Sequence, residues 1–93
     1  MVYIMLDTNS NNQFFVKVGQ SRKPSIRRKF YKTHSPTAQM SSVMAGTESA
    51  EKKYKKKLEK VAIKRLNGSE WFEVTEEVYK KIEKQGFKFL EKF

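Results

Sequence analysis

The pattern of apolar residues predicts a single α+β domain: a three-stranded, mainly antiparallel sheet, with a short closing strand if 70–74 pairs, flanked by about three helices. Three observations lead there. Two short apolar stretches flank the polar cluster Asp7-Thr8-Asn9-Ser10-Asn11-Asn12, as the arms of a hairpin flank its loop. Ala50, Tyr54, Leu58 and Val61 recur at helical spacing. The 93 residues show no repeat, linker or low-complexity tract, so one modest core must serve them all. The motif-bearing part is 1–75, and 76–93 closes the domain with helix.

Taken in order, 1–6 is an apolar run of strand length and 13–19 a second strand ending at Gly19. Pro24 then suits a first helical turn, and a helix over 24–32 puts Ile26 and Phe30 on a packing stripe. Arg27 and Tyr31, four residues apart, share the neighbouring stripe, where they are available for chemistry. The stretch Thr33-His34-Ser35-Pro36 breaks that helix, with His34 an exposed loop residue. A third strand follows over 39–45. Thr47 N-caps the next helix, and Glu48 lies in its first turn, where the helix dipole favours an acid. Asn67-Gly68-Ser69 is a turn, 70–74 alternates as a strand, and Thr75 caps a final helix with Glu76 and Glu77 in its first turn. Gly86 interrupts it before the Phe87, Phe89, Leu90 and Phe93 group closes the core.

Charge narrows the function. The chain has 20 Lys or Arg against 10 Asp or Glu, a net +10, and the excess is uneven. Residues 1–68 carry about +11 and the rest about −1. Such a surface attracts phosphate backbones by Coulomb steering and counterion release, although a lysine-rich solvated surface has the same composition. The aromatic residues do not form the apolar face of an interfacial helix, which argues against a membrane partner. No run approaches the roughly 20 apolar residues of a membrane span, and no secretory leader is visible, so a cytoplasmic protein is expected. Without cysteine there is neither a disulfide framework nor a thiolate zinc site, and one histidine makes no multi-histidine centre. A metal here would need carboxylates.

Glu51 is the acid placed for that. At about 100° per residue it borders the Ala50, Tyr54, Leu58 and Val61 stripe and looks toward the sheet. The competing reading is an ordinary ion pair with Lys55 at the i, i+4 spacing, and the residues alone leave the two open.

These pieces together resemble the GIY-YIG nuclease superfamily. The resemblance rests on Val2-Tyr3-Ile4 in a first strand, Lys17-Val18-Gly19 in a second, Pro24 and Arg27 on the following helix, the helix around Glu51, and the closing Gly68-Ser69-Glu70-Trp71-Phe72. More narrowly it is to the small branch found in phages and microbes, of the T5orf172 or meiotically-up-regulated-gene-113 type. The resemblance covers about 1–75. It implies a metal-dependent endonuclease that hydrolyses phosphodiester bonds in DNA through one Mg²⁺ or Mn²⁺. By position, Tyr3 matches the tyrosine of the first motif and Lys17 the second motif's tyrosine position. Gly19 matches the motif glycine, Arg27 the helix arginine, Tyr31 the residue one turn later, and Glu51 the metal-binding glutamate. An ungapped count back from Glu70 ends instead on Lys55, or on Tyr54 with one gap, which would leave a nuclease-like module without its metal ligand.

In that scheme Tyr3 takes a proton from the attacking water beside the charge of Lys17, Arg27 grips the phosphate as a planar donor fork, and Tyr31 orients phosphate or water. Glu51 holds a cation that keeps most of its waters. Arg22, Lys23, Arg28 and Lys55 are expected to bind nucleic acid. The alternative is a catalytically inactive nucleic-acid-binding or protein-interaction module, motivated by Lys52, Lys53, Lys56 and Lys57. No base-reading motif appears, so a homodimer or a protein partner would have to supply specificity.

Overall fold

The hairpin expected around the Asp7 to Asn12 cluster forms. In the computed structural model, which describes residues 1–23, 25, 26, 28, 29 and 37–93, β1 (Val2–Thr8) and β2 (Phe14–Gln20) pair antiparallel from Val2 with Gln20 to Thr8 with Phe14. The Asn9 side chain organises the loop, its Oδ1 accepting from the backbone N–H groups of Asn11 and Gln13 at 3.0 and 3.1 Å. Asn12 takes the left-handed conformation that closes the turn, at φ 58°.

The third strand, β3 (Gln39–Met44), adds to the free edge of β1, with a register shift between Ile4 and Met5. On the far side of β2 lie β5 (Phe72–Val74) and β4 (Lys64–Arg65), giving an open antiparallel sheet in the order β3-β1-β2-β5-β4. The sheet therefore has five strands, not three with a closing one. The additional strand is the two-residue β4, which pairs Lys64 with Glu73 and Arg65 with Phe72 across a turn at Gly68, φ 66°. Two exposed cations carry no alternation of apolar and polar residues, so nothing in the sequence marked them as a strand.

Helices cover one face of the sheet: α1 (Glu48–Val61), α2 (Glu76–Gln85) and the short α3 (Phe87–Leu90). Val2, Ile4 and Leu6 of β1 and Val16 and Val18 of β2 point to this side and are completely buried. They meet Tyr54 and Leu58 of α1, Ile82 of α2 and Leu90 of α3. At about 1.5–3 kcal/mol for each fully buried aliphatic side chain, this layer supplies most of the stability.

The helix ends follow their sequence signals unequally. Thr75 caps α2 as expected, its Oγ1 accepting from Val78 N at 3.2 Å. Thr47 occupies the N-cap of α1 without a side-chain cap bond; only its carbonyl is used, accepting from Glu51 N at 3.1 Å. Gly86 ends α2 at φ 61° with its N–H on the Ile82 carbonyl at 2.7 Å, and turns the chain so that Phe87, Phe89 and Leu90 return to the core. A side chain at position 86 would strike the Ser42 hydroxyl. Glycine is required there for both conformation and space.

Ser25, Ile26, Arg28 and Lys29 are helical and all exposed. Ile26, expected on a packing stripe, is 58 % exposed and joins neither apolar cluster, because β1, β2 and the helices α1 to α3 already fill the core on the helical side. Pro24, Arg27, Phe30, Tyr31 and His34 lie outside the described residues. No helix among the described residues is long and apolar enough to cross a membrane.

Candidate active site

Odd-numbered residues of β1 and β2 point to the opposite face, and they include Tyr3, Lys17 and Gly19. Tyr3 and Gly19 are cross-strand partners. A methyl group at position 19 would lie 2.5 Å from both Cζ and Oη of Tyr3, so the phenol ring crosses the strand over the space that the missing side chain leaves. The motif glycine thus works through the tyrosine: it gives the ring its seat. Tyr3 is 2 % exposed and packs with Met5 and Ala38, with Met40 and Trp71 at the margin. Arg28 borders a neighbouring hollow of about 290 Å³ together with Met5, Ala38, Gln39 and Met40, which brings Arg28 to this face of the sheet.

Lys17 leads away from the tyrosine toward α1. Its Nζ lies 3.8 Å from Glu70 Oε2, at the start of the segment that enters β5. The other oxygen of Glu70 accepts from Lys55 Nζ at 2.7 Å, and the same ammonium stands 3.2 Å from Glu51 Oε1. Four charged groups therefore alternate from the sheet to the helix: Lys17, Glu70, Lys55, Glu51. Only 16 % of the Glu51 side chain and 25 % of the Lys55 side chain are exposed. The i, i+4 pair foreseen as the alternative for Glu51 forms, and Lys55, expected to meet nucleic acid, is held between two carboxylates.

The electrostatics follow from that arrangement. A hydrogen bond from Lys55 holds the Glu70 carboxyl below its ordinary value; burial opposes this, and the charges of Lys55, Lys17 and Arg65 add to it. Burial pushes the Lys55 ammonium down, but its hydrogen bonds to Glu70 and Glu51 outweigh it, so its pKa stands above the usual lysine value. Beside this pair a cleft of about 210 Å³ is bordered by Lys55, Glu70, Arg65 and Phe72.

A divalent ion would find the right donor type here, since two carboxylates converge on one cation and carboxylate oxygens are what a hard ion takes. The ammonium of Lys55 marks the place where positive charge is stabilised. Among the described residues no group of three or more His, Cys, Asp or Glu comes together, so an ion on Glu51, with or without Glu70, would keep most of its water shell.

Of the residues singled out in the sequence, the fold sets Tyr3 against Gly19 on one face of β1 and β2, and joins Lys17, Lys55 and Glu51 through Glu70 at the edge formed by β2, β5 and α1. Arg22 and Lys23 are exposed in the segment after β2. Arg27 and Tyr31 lie outside the described residues. Glu70 is the member that sequence reasoning used only as part of a closing motif. The signal that could have found it was its position, an acid directly before the apolar pair Trp71-Phe72 and at the edge of a strongly basic segment.

A family model described as T5orf172 domain matches residues 1–85, which includes every residue of this constellation. No curated protein and no solved structure matches the chain.

Proposed function

Since the chain belongs to the T5orf172 domain family, a GIY-YIG-like, nuclease-associated group, we propose that it is a metal-dependent endonuclease that hydrolyses phosphodiester bonds in DNA. The observation that carries this reading is the alternating chain of charges that joins Lys17, on the strand holding the tyrosine's seat, to Glu51 on α1. Groups on β2 and α1, 34 positions apart in the sequence, share one local electrostatic unit. Its components suit the reaction, which needs an activated water, positive charge on the phosphoryl oxygens and help for the leaving oxygen.

Glu51 would hold Mg²⁺ or Mn²⁺, with Glu70 as the second carboxylate within reach of the same cation. When bound, such an ion neutralises phosphoryl charge and lowers the pKa of its water. The protein's own groups do the rest. Arg27 donates to the non-bridging phosphate oxygens as a planar fork, in place of a single point charge. Tyr3, as its phenolate, would accept a proton from the attacking water and become the neutral phenol, its ring seated over the bare Gly19. Tyr31 orients the phosphate or the water. Lys55 balances the charge of Glu51 and Glu70 here, and with a divalent ion on those carboxylates its ammonium would be available to a phosphate.

The test is nicking of supercoiled plasmid at low salt with Mg²⁺ or Mn²⁺ against EDTA, comparing the wild type with Glu51→Ala, Arg27→Ala and Tyr3→Phe. Metal-dependent nicking that falls by about 100-fold or more in the first two variants is expected. Full cleavage by Tyr3→Phe would remove the proposed base, and cleavage that survives Glu51→Ala would move the ligand elsewhere. One observation favours a second reading, a catalytically silent nucleic-acid-binding module: Glu51 already has a cation in Lys55. Binding without cleavage under any metal would select it.

A further inference from the structure

Helix α1 has two unlike flanks. Its acids, Glu48, Glu51 and Glu59, fall on the side of Lys55 and the candidate active site. Around the other side run Lys52, Lys53, Lys56, Lys57 and Lys60, which line a hollow of about 510 Å³ bounded by Phe93. At about 100° per residue these five lysines span roughly 140° of the helix circumference, centred nearly opposite Glu51. Lys52, Lys56 and Lys60 stand one turn apart, about 5.4 Å of rise each time.

The C-terminal segment is fixed against this flank. Lys57 Nζ donates to the Glu91 carbonyl and Lys60 Nζ to the Phe93 carbonyl, each at 3.3 Å. The Phe93 ring packs edge-on against Phe89 at 5.3 Å and is still 43 % exposed. An aromatic face is thereby presented beside a row of ammonium groups. Two acids of α1 border the row, Glu59 one turn after Lys56 and Glu48, which pairs with Lys52 at 3.5 Å with both side chains about 70 % exposed; that pair is weak, and five lysines against two acids leave the flank positive.

We propose that this flank and Phe93 form a second nucleic-acid contact, which takes a single-stranded segment with its phosphates on Lys52, Lys53 and Lys56 and an unpaired base against Phe93. Charge complementarity selects a phosphate backbone. The exposed ring selects a strand whose bases are free to stack, since a duplex offers its base faces only at its ends. The flank is centred away from Glu51, and Lys56 alone of its lysines also borders the cleft beside Glu70, so a strand held here lies next to the cleavage site and leaves Glu51 open. It tethers the nucleic acid, so that a second, weak engagement at Glu51 becomes intramolecular. The inference rests on the nucleic-acid part of the proposed function and not on catalysis.

The test measures binding of a fluorescein-labelled 12-nucleotide thymidine strand, and of a 12-base-pair duplex, by anisotropy in EDTA across a series of salt concentrations. Each variant's fold is checked by its urea midpoint. Lys52→Gln/Lys53→Gln/Lys56→Gln should weaken strand binding at least tenfold and reduce the slope of log K against log salt by about 2, at about 0.7 for each phosphate that the variant no longer neutralises. Phe93→Leu, which keeps the packing on Phe89, should weaken strand binding about fivefold and leave duplex binding alone. An unchanged salt slope in the triple variant, or equal losses for strand and duplex on Phe93→Leu, overturns the assignment. If the wild type binds but the slope does not move, the tether falls and the proposed function stands. If the wild type binds neither probe, both fall.

Discussion

The two faces of the sheet are built on opposite rules. The helical face is a continuous apolar layer in which each strand residue of Val2, Ile4, Leu6, Val16 and Val18 is fully buried and helix side chains fill the spaces between them. The other face holds a small cluster around Tyr3 and Met5, a glycine kept bare for a ring, and a lysine leading to an ion chain. One strand pair serves both, because side chains alternate across it. The main packing layer and the candidate-site residues Tyr3, Lys17 and Gly19 are thus separated by parity along β1 and β2, so a change on the helical face should act mainly on stability.

The largest effect expected from that division is on the helical face. Leu58→Ala deletes a side chain with no exposure and should lower the unfolding free energy by about 2–5 kcal/mol, with activity per folded molecule unchanged. Met40→Ala, at the margin of the other cluster, should cost about 1 kcal/mol or less. Urea denaturation of both variants is the check, and equal losses would break the division of labour. Gly19→Ala comes next. Its methyl group must displace the Tyr3 ring, at about 1–3 kcal/mol, and nicking should fall with it. In a Tyr3→Ala background the cost of the same substitution should shrink by at least about 0.5 kcal/mol, since the obstructing atoms are gone. Strict additivity would mean that the glycine serves something other than the tyrosine.

Much of this division was legible because it is periodic. The hairpin, the α1 stripe, the Thr75 cap and the break at Gly86 each depend on local chemistry that a sequence displays directly. What escaped depends on partners far apart in the chain. Lys64 and Arg65 become a strand only because β5 offers them an edge, and Ile26 is left outside because other segments fill the core. Within the site, Glu51 and Lys55 could be paired from their spacing, but Glu70 joins them from 15 positions beyond Lys55, a distance at which no periodicity operates. The reason for Gly19 was likewise invisible, since it lies in the ring of a residue across the hairpin.

The smallest effect addresses that long-range link, and pH supplies its sign. Glu70 titrates below its ordinary value of 4.5 in the folded chain, so its stabilising contribution is complete above about pH 4.5 and is lost as the pH falls through the folded value. Lys55 titrates above its ordinary 10.5, so its contribution is complete below that value and is lost as the pH rises through its own folded value. Between these limits the pair adds a constant amount, on the order of 0.5–1 kcal/mol because half of the Glu70 side chain meets water. Glu70→Gln should therefore reduce the urea stability by that amount at pH 7, and the gap from wild type should narrow as both are carried into acid through the lowered range in which the native carboxylate is protonated. A gap that stayed constant over the whole acid range in which both chains still fold would mean that the contact is polar packing and not charge. Lys17 on β2 and Glu51 on α1 would then flank Glu70 and Lys55 without electrostatic coupling, and the two faces of the sheet would be more separate than the ion chain makes them.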